Sequence, residues 1–186
     1  MEQRLKKVII HSDGGCDPNP GLGGWGAVLE YGPRRRELSG YALAATNNRM
    51  EMQAAIEALR ALKECCEVAF YTDSEYLKNG IALWVPAWKR NGWKAKTKKP
   101  VKNVDLWKAL DALASQHKVS WHWIRGHSGH PQNERCDQLA TNAIQCARKN
   151  HSPEELARAL DELQSLHLDD VRNGSDLAAE TFVSLR

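Results

Sequence analysis

The sequence predicts an α/β domain, a five-stranded mixed sheet flanked by helices, followed by a C-terminal helical extension. Three observations predict it. Short apolar runs separated by turn residues open the chain, and helical and extended patterns then alternate. Beyond Asn150 the helical periodicity restarts behind a new start signal.

Leu5 to Asp13 is an apolar run that ends in a carboxylate and meets Gly14-Gly15. Gly24 to Tyr31 and Arg36 to Tyr41 read as two strands joined by Gly32-Pro33, hence a hairpin. Thr46-Asn47-Asn48 offer caps for a helix to about Lys63, whose apolar stripe is Met52, Ala55, Ile56, Leu59 and Leu62. Val68 to Asp73 is a second apolar run ending in a carboxylate. Helical segments follow at about Glu75 to Leu83, Val85 to Asn91 and Val104 to His117. Val119, Trp121 and Trp123 alternate with Ser120 and His122, a strand signature. The last core helix spans about Pro131 to Arg148, with Leu139, Ala140, Ala143 and Cys146 turned inward.

Residues 1–149 form the expected core and 150–186 a tail. Ser152 and Glu155 make a capping box there, and Pro153 takes the first helical position. Leu156, Leu160, Leu163 and Leu166 then share one helical face until Asn173-Gly174 breaks the pattern. The tail carries 8 acidic and 3 basic side chains, leaving 23 Lys and Arg against 15 Asp and Glu in the first 149 residues. A basic body suits a polyanionic partner. The tail helix can pack on the core, pair with another copy or stay mobile, and it reads either as a dispensable, partly ordered appendage or as an acidic face that shields the basic surface.

No stretch reaches the apolar length of a membrane span, and Val8-Ile9-Ile10 is too short for a signal-peptide core, so a cytoplasmic, membrane-free monomer is expected. Five cysteines (Cys16, Cys65, Cys66, Cys136 and Cys146) form no CxxC pair, which argues against zinc and against a disulfide framework. A bridge from Cys65 or Cys66 to Cys146 stays open.

Asp13 and Asp73 each end an apolar strand. If those strands are parallel neighbours, both acids project from one sheet edge, where open α/β sheets bind ligands. Glu51 falls in the first turn of the helix after the hairpin, and Asp137 in the last core helix. Four carboxylates meeting at one spot repel unless cations stand between them, and hard oxygen donors suit Mg²⁺ or Mn²⁺. Taken singly, each acid has a plainer job: an Asp at a strand end caps a turn, and a Glu in a first helical turn answers the helix dipole.

The combination resembles type 1 ribonuclease H of the bacterial kind. The segments that carry the resemblance are SDGGCDPNPGLGGWGAVL (12–29), TNNRMEMQAAIEAL (46–59), YTDSEYLKNGI (71–81), KKPVKNVDLWKAL (98–110) and WHWIRGHSGHPQNERCDQLA (121–140). The resemblance implies the ribonuclease H-like fold and hydrolysis of the RNA strand of RNA–DNA hybrids with two Mg²⁺ ions, for which Mn²⁺ can substitute. It also implies 5′-phosphate and 3′-hydroxyl products, and a role in primer removal or R-loop clearance. Its metal-binding acids fall on Asp13, Glu51, Asp73 and Asp137, and its catalytic histidine on His127, an imidazole suited to accept or relay a proton. His130 is a bystander. A non-catalytic hybrid-binding module and a transposase-like nuclease are the rival readings. The first is disfavoured by the intact acids, the second by the GHSGHPQNERCD segment.

The resemblance further implies hybrid contacts from Asn19, Asn47 and Gln53, whose amides both donate and accept, and from backbone amides near Gly14 and Cys16. Thr46, Asn47, Asn48 and Ser74 match a pocket for a DNA phosphate, although Thr46 and Asn47 equally suit a helix cap. Lys89, Arg90, Lys94, Lys96, Lys98, Lys99 and Lys102, interleaved with Trp84, Trp88 and Trp93, resemble a basic handle for the DNA strand. There the tryptophans are expected to build the handle's own small core. Glu75 adds negative charge beside the acids. Partners among single-stranded-DNA-binding or replication proteins stay open.

Overall fold

Two parallel strands at the centre of the sheet set the position of every other element. The computed structural model describes residues 5–95, 98–173 and 182–185. Strands β1 (Lys6–Cys16), β2 (Gly21–Tyr31) and β3 (Arg34–Ala45) form an antiparallel meander, and helix α1 (Asn47–Arg60) leads to β4 (Cys66–Thr72), which lies parallel to β1. Helix α2 (Glu75–Asn79), a π turn (Gly80–Trp84), α3 (Val85–Arg90) and α4 (Val104–Ala114) lead to β5 (Lys118–Trp123), parallel to β4. Helices α5 (Pro131–Asn150) and α6 (Pro153–Asn173) and strand β6 (Phe182–Leu185) complete the order. The expected five strands are present. A sixth, β6, pairs antiparallel with β3, giving the order β5-β4-β1-β2-β3-β6.

Alternation along β1 buries Val8, Ile10 and Ser12 on one face. There Val8 and Ile10 join Met52, Ala55, Ile56 and Leu59 of α1, Phe70 of β4, and Leu106, Trp107 and Leu110 of α4 in the main core. The apolar stripe of α1 was only half of what that helix buries. Met50 and Ala54, on its flank, pack with Trp25, Ala42 and Ala45 in a second cluster. Helix α5 covers the opposite face over β1, β2 and β3. Its buried side is Cys136, Ala140, Ala143, Ile144 and Ala147, while Leu139 and Cys146 are only half-buried, a shift from the expected stripe. Small residues face inward because the helix backbone lies directly on strand glycines: a Cβ on Gly26 would stand 2.5 Å from the Cys136 carbonyl oxygen. The expected helix at 75–83 ends early, and its second half widens into the π turn, where Gly80 lies on the Trp107 ring. Trp123 does not share the burial of its strand. It is 45% exposed and donates its indole N–H to the Asp73 carbonyl at 2.9 Å.

The tail is docked on the core. Helix α6 packs on β3 and β2, with Leu156 against the cluster of Leu22, Tyr41, Ala143, Ile144 and Ala147, and Leu163 only 4% exposed. His151 Nε2 lies 3.2 Å from the Tyr41 hydroxyl at the junction. Of the expected placements, packing on the core is the one found: the helix lies on the β3 side of the sheet with Leu156 on the core, and β6 pairs with the edge of β3. All five cysteines are free thiols. Among the described residues no helix is long and apolar enough to cross a membrane.

If α6 is part of the cooperative core, Leu163→Ala lowers the unfolding free energy in urea by about 2–3 kcal/mol, as truncation of a buried leucine does. Gln164→Ala on the exposed side of the same turn changes it by less than about 0.5 kcal/mol. Equal effects at the two positions would mean that the tail folds apart from the core.

Candidate active site

The register Ser12↔Thr72 puts the next residue of each parallel strand, Asp13 and Asp73, at the same edge of the sheet. Two close backbone contacts bring the other acids to them. A Cβ on Gly14 would stand 2.6 Å from the Glu51 backbone nitrogen, so the end of β1 touches α1 at Glu51 itself. Gly26 lies directly across from Asp13 in the antiparallel register, and the contact of Gly26 with the Cys136 carbonyl places Asp137 over Asp13. Glu51 is the fifth residue of α1, beyond the first turn, which holds no acid. It therefore does not serve the helix dipole as a first-turn Glu would.

The acids feel one another. Burial, reinforced by Asp73, Asp137 and Glu51, pushes the Asp13 carboxyl up from 3.8 to about 7, against one backbone hydrogen bond from Gly14 N at 2.7 Å. Burial and Asp73 push Glu51 up from 4.5 to about 7, although the Ser74 hydroxyl donates to its Oε2. Asp73 Oδ2 accepts from Asn133 Nδ2 at 3.1 Å. The four acids do not form a ready cage. Among the described residues no three His, Cys, Asp or Glu side chains stand close enough to hold an ion, and Glu51 accepts from Ser74 as Asp73 does from Asn133. The residues nonetheless fit a hard divalent cation. The donor set is all oxygen, and Asp13, Glu51 and Asp73 each hold one oxygen that accepts no hydrogen bond among the described residues.

The family model for RNase H matches residues 5–145. A Ribonuclease H of Rhodopseudomonas palustris is 58% identical over 140 residues, 75% of this chain and 93% of that protein. One of Cupriavidus pinatubonensis is 59% identical over 140 residues, 75% of this chain and 97% of that protein. The chain belongs to the RNase H family, and within it to type 1 of the bacterial kind. Among solved structures, LC9-RNase H1, a type 1 RNase H with the type 2 active-site motif, is 33% identical with a TM-score of 0.70, covering 77% of this chain and 74% of that one. LC11-RNase H1, solved in complex with an RNA/DNA hybrid, is 25% identical with a TM-score of 0.58, covering 75% of this chain and 98% of that one.

On this RNase H fold the other candidate residues fall into three groups. The first surrounds the 16–20 turn. Asn47 Oδ1 accepts from Cys16 N at 2.8 Å, and Asn19 Oδ1 accepts from Asn47 N at 3.1 Å. The Gly14 and Cys16 amides, expected to face a ligand, are thus committed to Asp13 and Asn47. Thr46 caps α1, accepting from Arg49 N at 3.4 Å, and Asn48 is half-buried beside it. Gln53 is 4% exposed and donates to Glu57 at 2.8 Å, so it lies inside the helix packing. Ser74 is buried, caps α2 and donates to Glu51. Glu75 is exposed in the first turn of α2.

The second group is the basic segment. Trp84 and Trp88 contact Tyr76 and Trp107 through rings 5.3–5.8 Å apart, and because Trp107 belongs to the main core, with Trp88 and Trp93 packed against it, the tryptophans extend that core and do not build a separate one of their own. Lys89 pairs with Asp111 of α4 at 2.8 Å and so anchors the segment. Arg90, Lys94, Lys98, Lys99 and Lys102 are exposed, and Lys96 lies outside the described residues. The third group is the loop before α5. His127 is exposed with φ 50°, a left-handed conformation uncommon outside glycine, and Gly126 beside it lies against Asp73 Oδ2.

Asn133 is the site residue that sequence reasoning missed. It is 3% exposed, holds Asp73, and keeps a buried Oδ1 without a partner. Its signal was available: it stands four residues before Asp137, on the same helical face.

The raised carboxyls set a pH dependence. In divalent-free buffer the folded chain holds protons on Asp13 and Glu51 up to about pH 7, where an unfolded chain releases them near 3.8 and 4.5. The native state binds more protons in that window, so stability falls as pH rises from about 4 to about 7. The expected result in urea titrations is a lower midpoint at pH 8 than at pH 5, with the drop reduced in Asp13→Asn. An identical drop in that variant would contradict the shift.

Proposed function

We propose that this chain is an endoribonuclease that hydrolyses the RNA strand of RNA–DNA hybrids, leaving a 5′-phosphate and a 3′-hydroxyl. The observation that carries the reading is Asp13, half-buried at a sheet edge within the electrostatic reach of Glu51, Asp73 and Asp137. A relative of the same fold has been solved with an RNA/DNA hybrid, which supports the substrate class. Asp13, Glu51, Asp73 and Asp137 would hold two Mg²⁺ ions, or Mn²⁺ in their place. Bound there, such ions activate a water and stabilise the leaving oxygen of a phosphodiester.

The chain's own groups do the rest. Asp13, which feels Glu51, Asp73 and Asp137 alike, would be the shared member of the set that holds the ions. Asn133 and Ser74 hold the Asp73 and Glu51 carboxylates in orientation and are positioning residues. His127, one residue past the glycine that lies on Asp73, takes up or returns a proton at its imidazole. Asn19 and Asn47 have their side-chain oxygens tied inside the 16–20 turn, which leaves their NH₂ groups to donate to the RNA strand and its 2′-hydroxyls. Arg90, Lys94, Lys98, Lys99 and Lys102 track the phosphates of the DNA strand. Removal of RNA primers and clearance of R-loops are the settings this activity suits.

Incubated with Mg²⁺ and labelled hybrid, double-stranded DNA or double-stranded RNA, the parent protein is expected to cut only the hybrid. Asp73→Asn reduces turnover by at least about 10²-fold while hybrid affinity is retained, since it removes a ligand oxygen and leaves the basic segment intact. Cleavage of duplex DNA, or full activity of Asp73→Asn, would overturn the reading. Neutralising Lys94, Lys98 and Lys99 to Gln weakens hybrid binding and flattens the slope of log affinity against log salt by about 2–3. An unchanged slope removes these lysines from the DNA contact.

A further inference from the structure

Helix α5 continues past Asp137 for eleven residues to Arg148, about 16 Å along its axis. A cavity of about 320 Å³ follows it, lined by Asp13 and Asp137, by Ala140 and Ile144 along the helix, and by Asp17 and Arg148. Arg148 Nη2 donates to Asp17 twice, to the carboxylate Oδ2 at 2.7 Å and to the backbone carbonyl at 2.9 Å. Asp17 opens the turn that carries Asn19. Other ties on that turn include Asp17 N to the Leu22 carbonyl at 2.9 Å and the pair of hydrogen bonds that join Cys16, Asn47 and Asn19. The first tie is local and the second reaches α1. Arg148 supplies a tie to α5, the helix that also carries Asp137.

We propose that Arg148 is a positioning residue for the RNA strand: by gripping both acceptors of Asp17 it fixes the 16–20 turn, and so the donor groups of Asn19 and Asn47, relative to the carboxylates. The inference rests on the reading of this chain as a hybrid-cleaving enzyme. It uses Arg148 through Asp17, not as a contact to phosphate. The pair is exposed, with 46% and 68% of its side chains accessible, so its loss changes global stability little. The turn's placement is what the loss disturbs.

The test is steady-state cleavage of a labelled hybrid by the full chain in Mg²⁺, with melting temperatures recorded for each variant. Arg148→Ala is expected to raise KM about fivefold with kcat within about twofold of the parent, the pattern of lost substrate binding. Asp17→Ala raises KM by a similar factor, the double variant is no worse than either single one, and Arg148→Lys, which keeps a cation for Asp17, recovers most of the loss. The opposite sign at Asp17 overturns the proposal. If Asp17→Ala lowers KM, the freed Arg148 is a direct phosphate ligand, and the proposal fails. Unchanged KM in both single variants, or a KM rise accompanied by a drop of many degrees in melting temperature, also defeats it. A parent protein that leaves the hybrid uncut would instead defeat the functional reading on which it stands.

Discussion

Two contacts between backbone and backbone hold the site together: α1 on the end of β1 at Gly14, and α5 on β2 at Gly26. Each would be pushed apart by a single methyl group. Neither involves a charged group, yet together they bring Glu51 and Asp137 to the acid that β1 presents. The parallel pairing of β1 with β4 supplies the remaining acid, Asp73. The acids are distant in sequence and meet because helices from both faces of the sheet touch its central strands at one level.

That arrangement has an electrostatic cost, and the carboxyls show it. Asp13 and Glu51 hold protons to about neutrality, and Glu51 and Asp73 turn to the neutral donors Ser74 and Asn133. Any affinity of this edge for cations and the pH dependence of stability would share one cause: carboxylates brought together at a half-buried edge by packing.

The strands and their carboxylate ends were legible because their signals are local. Apolar runs stop at Asp13 and Asp73, and the helix caps at Thr46 and Ser152 lie beside the segments they start. The leucine stripe of α6 was legible for the same reason. The destination of that stripe was not, since nothing in Leu156 or Leu163 says which surface they meet. The sixth strand was hidden likewise: a strand of four residues acquires its identity only from the edge of β3 it pairs with. At the site, the acids and His127 could be named, but their supports could not. The Gly14 and Cys16 amides look available in sequence and are consumed by Asp13 and Asn47 in the fold. Gln53 bonds Glu57 within its helix and Ser74 caps α2, placements that their sequence neighbours do not reveal. Polar side chains have several jobs open to them, and only the tertiary neighbours decide which one is taken.

The claim at the centre is that these acids share bound cations, and anomalous diffraction from crystals equilibrated with Mn²⁺ and a hybrid tests it most directly. The account predicts two anomalous peaks, about 4 Å apart, both in contact with Asp13 and divided among Glu51, Asp73 and Asp137. Saturating Mn²⁺ with no peak in contact with Asp13, or with ions only at the exposed acids of α6, would contradict it.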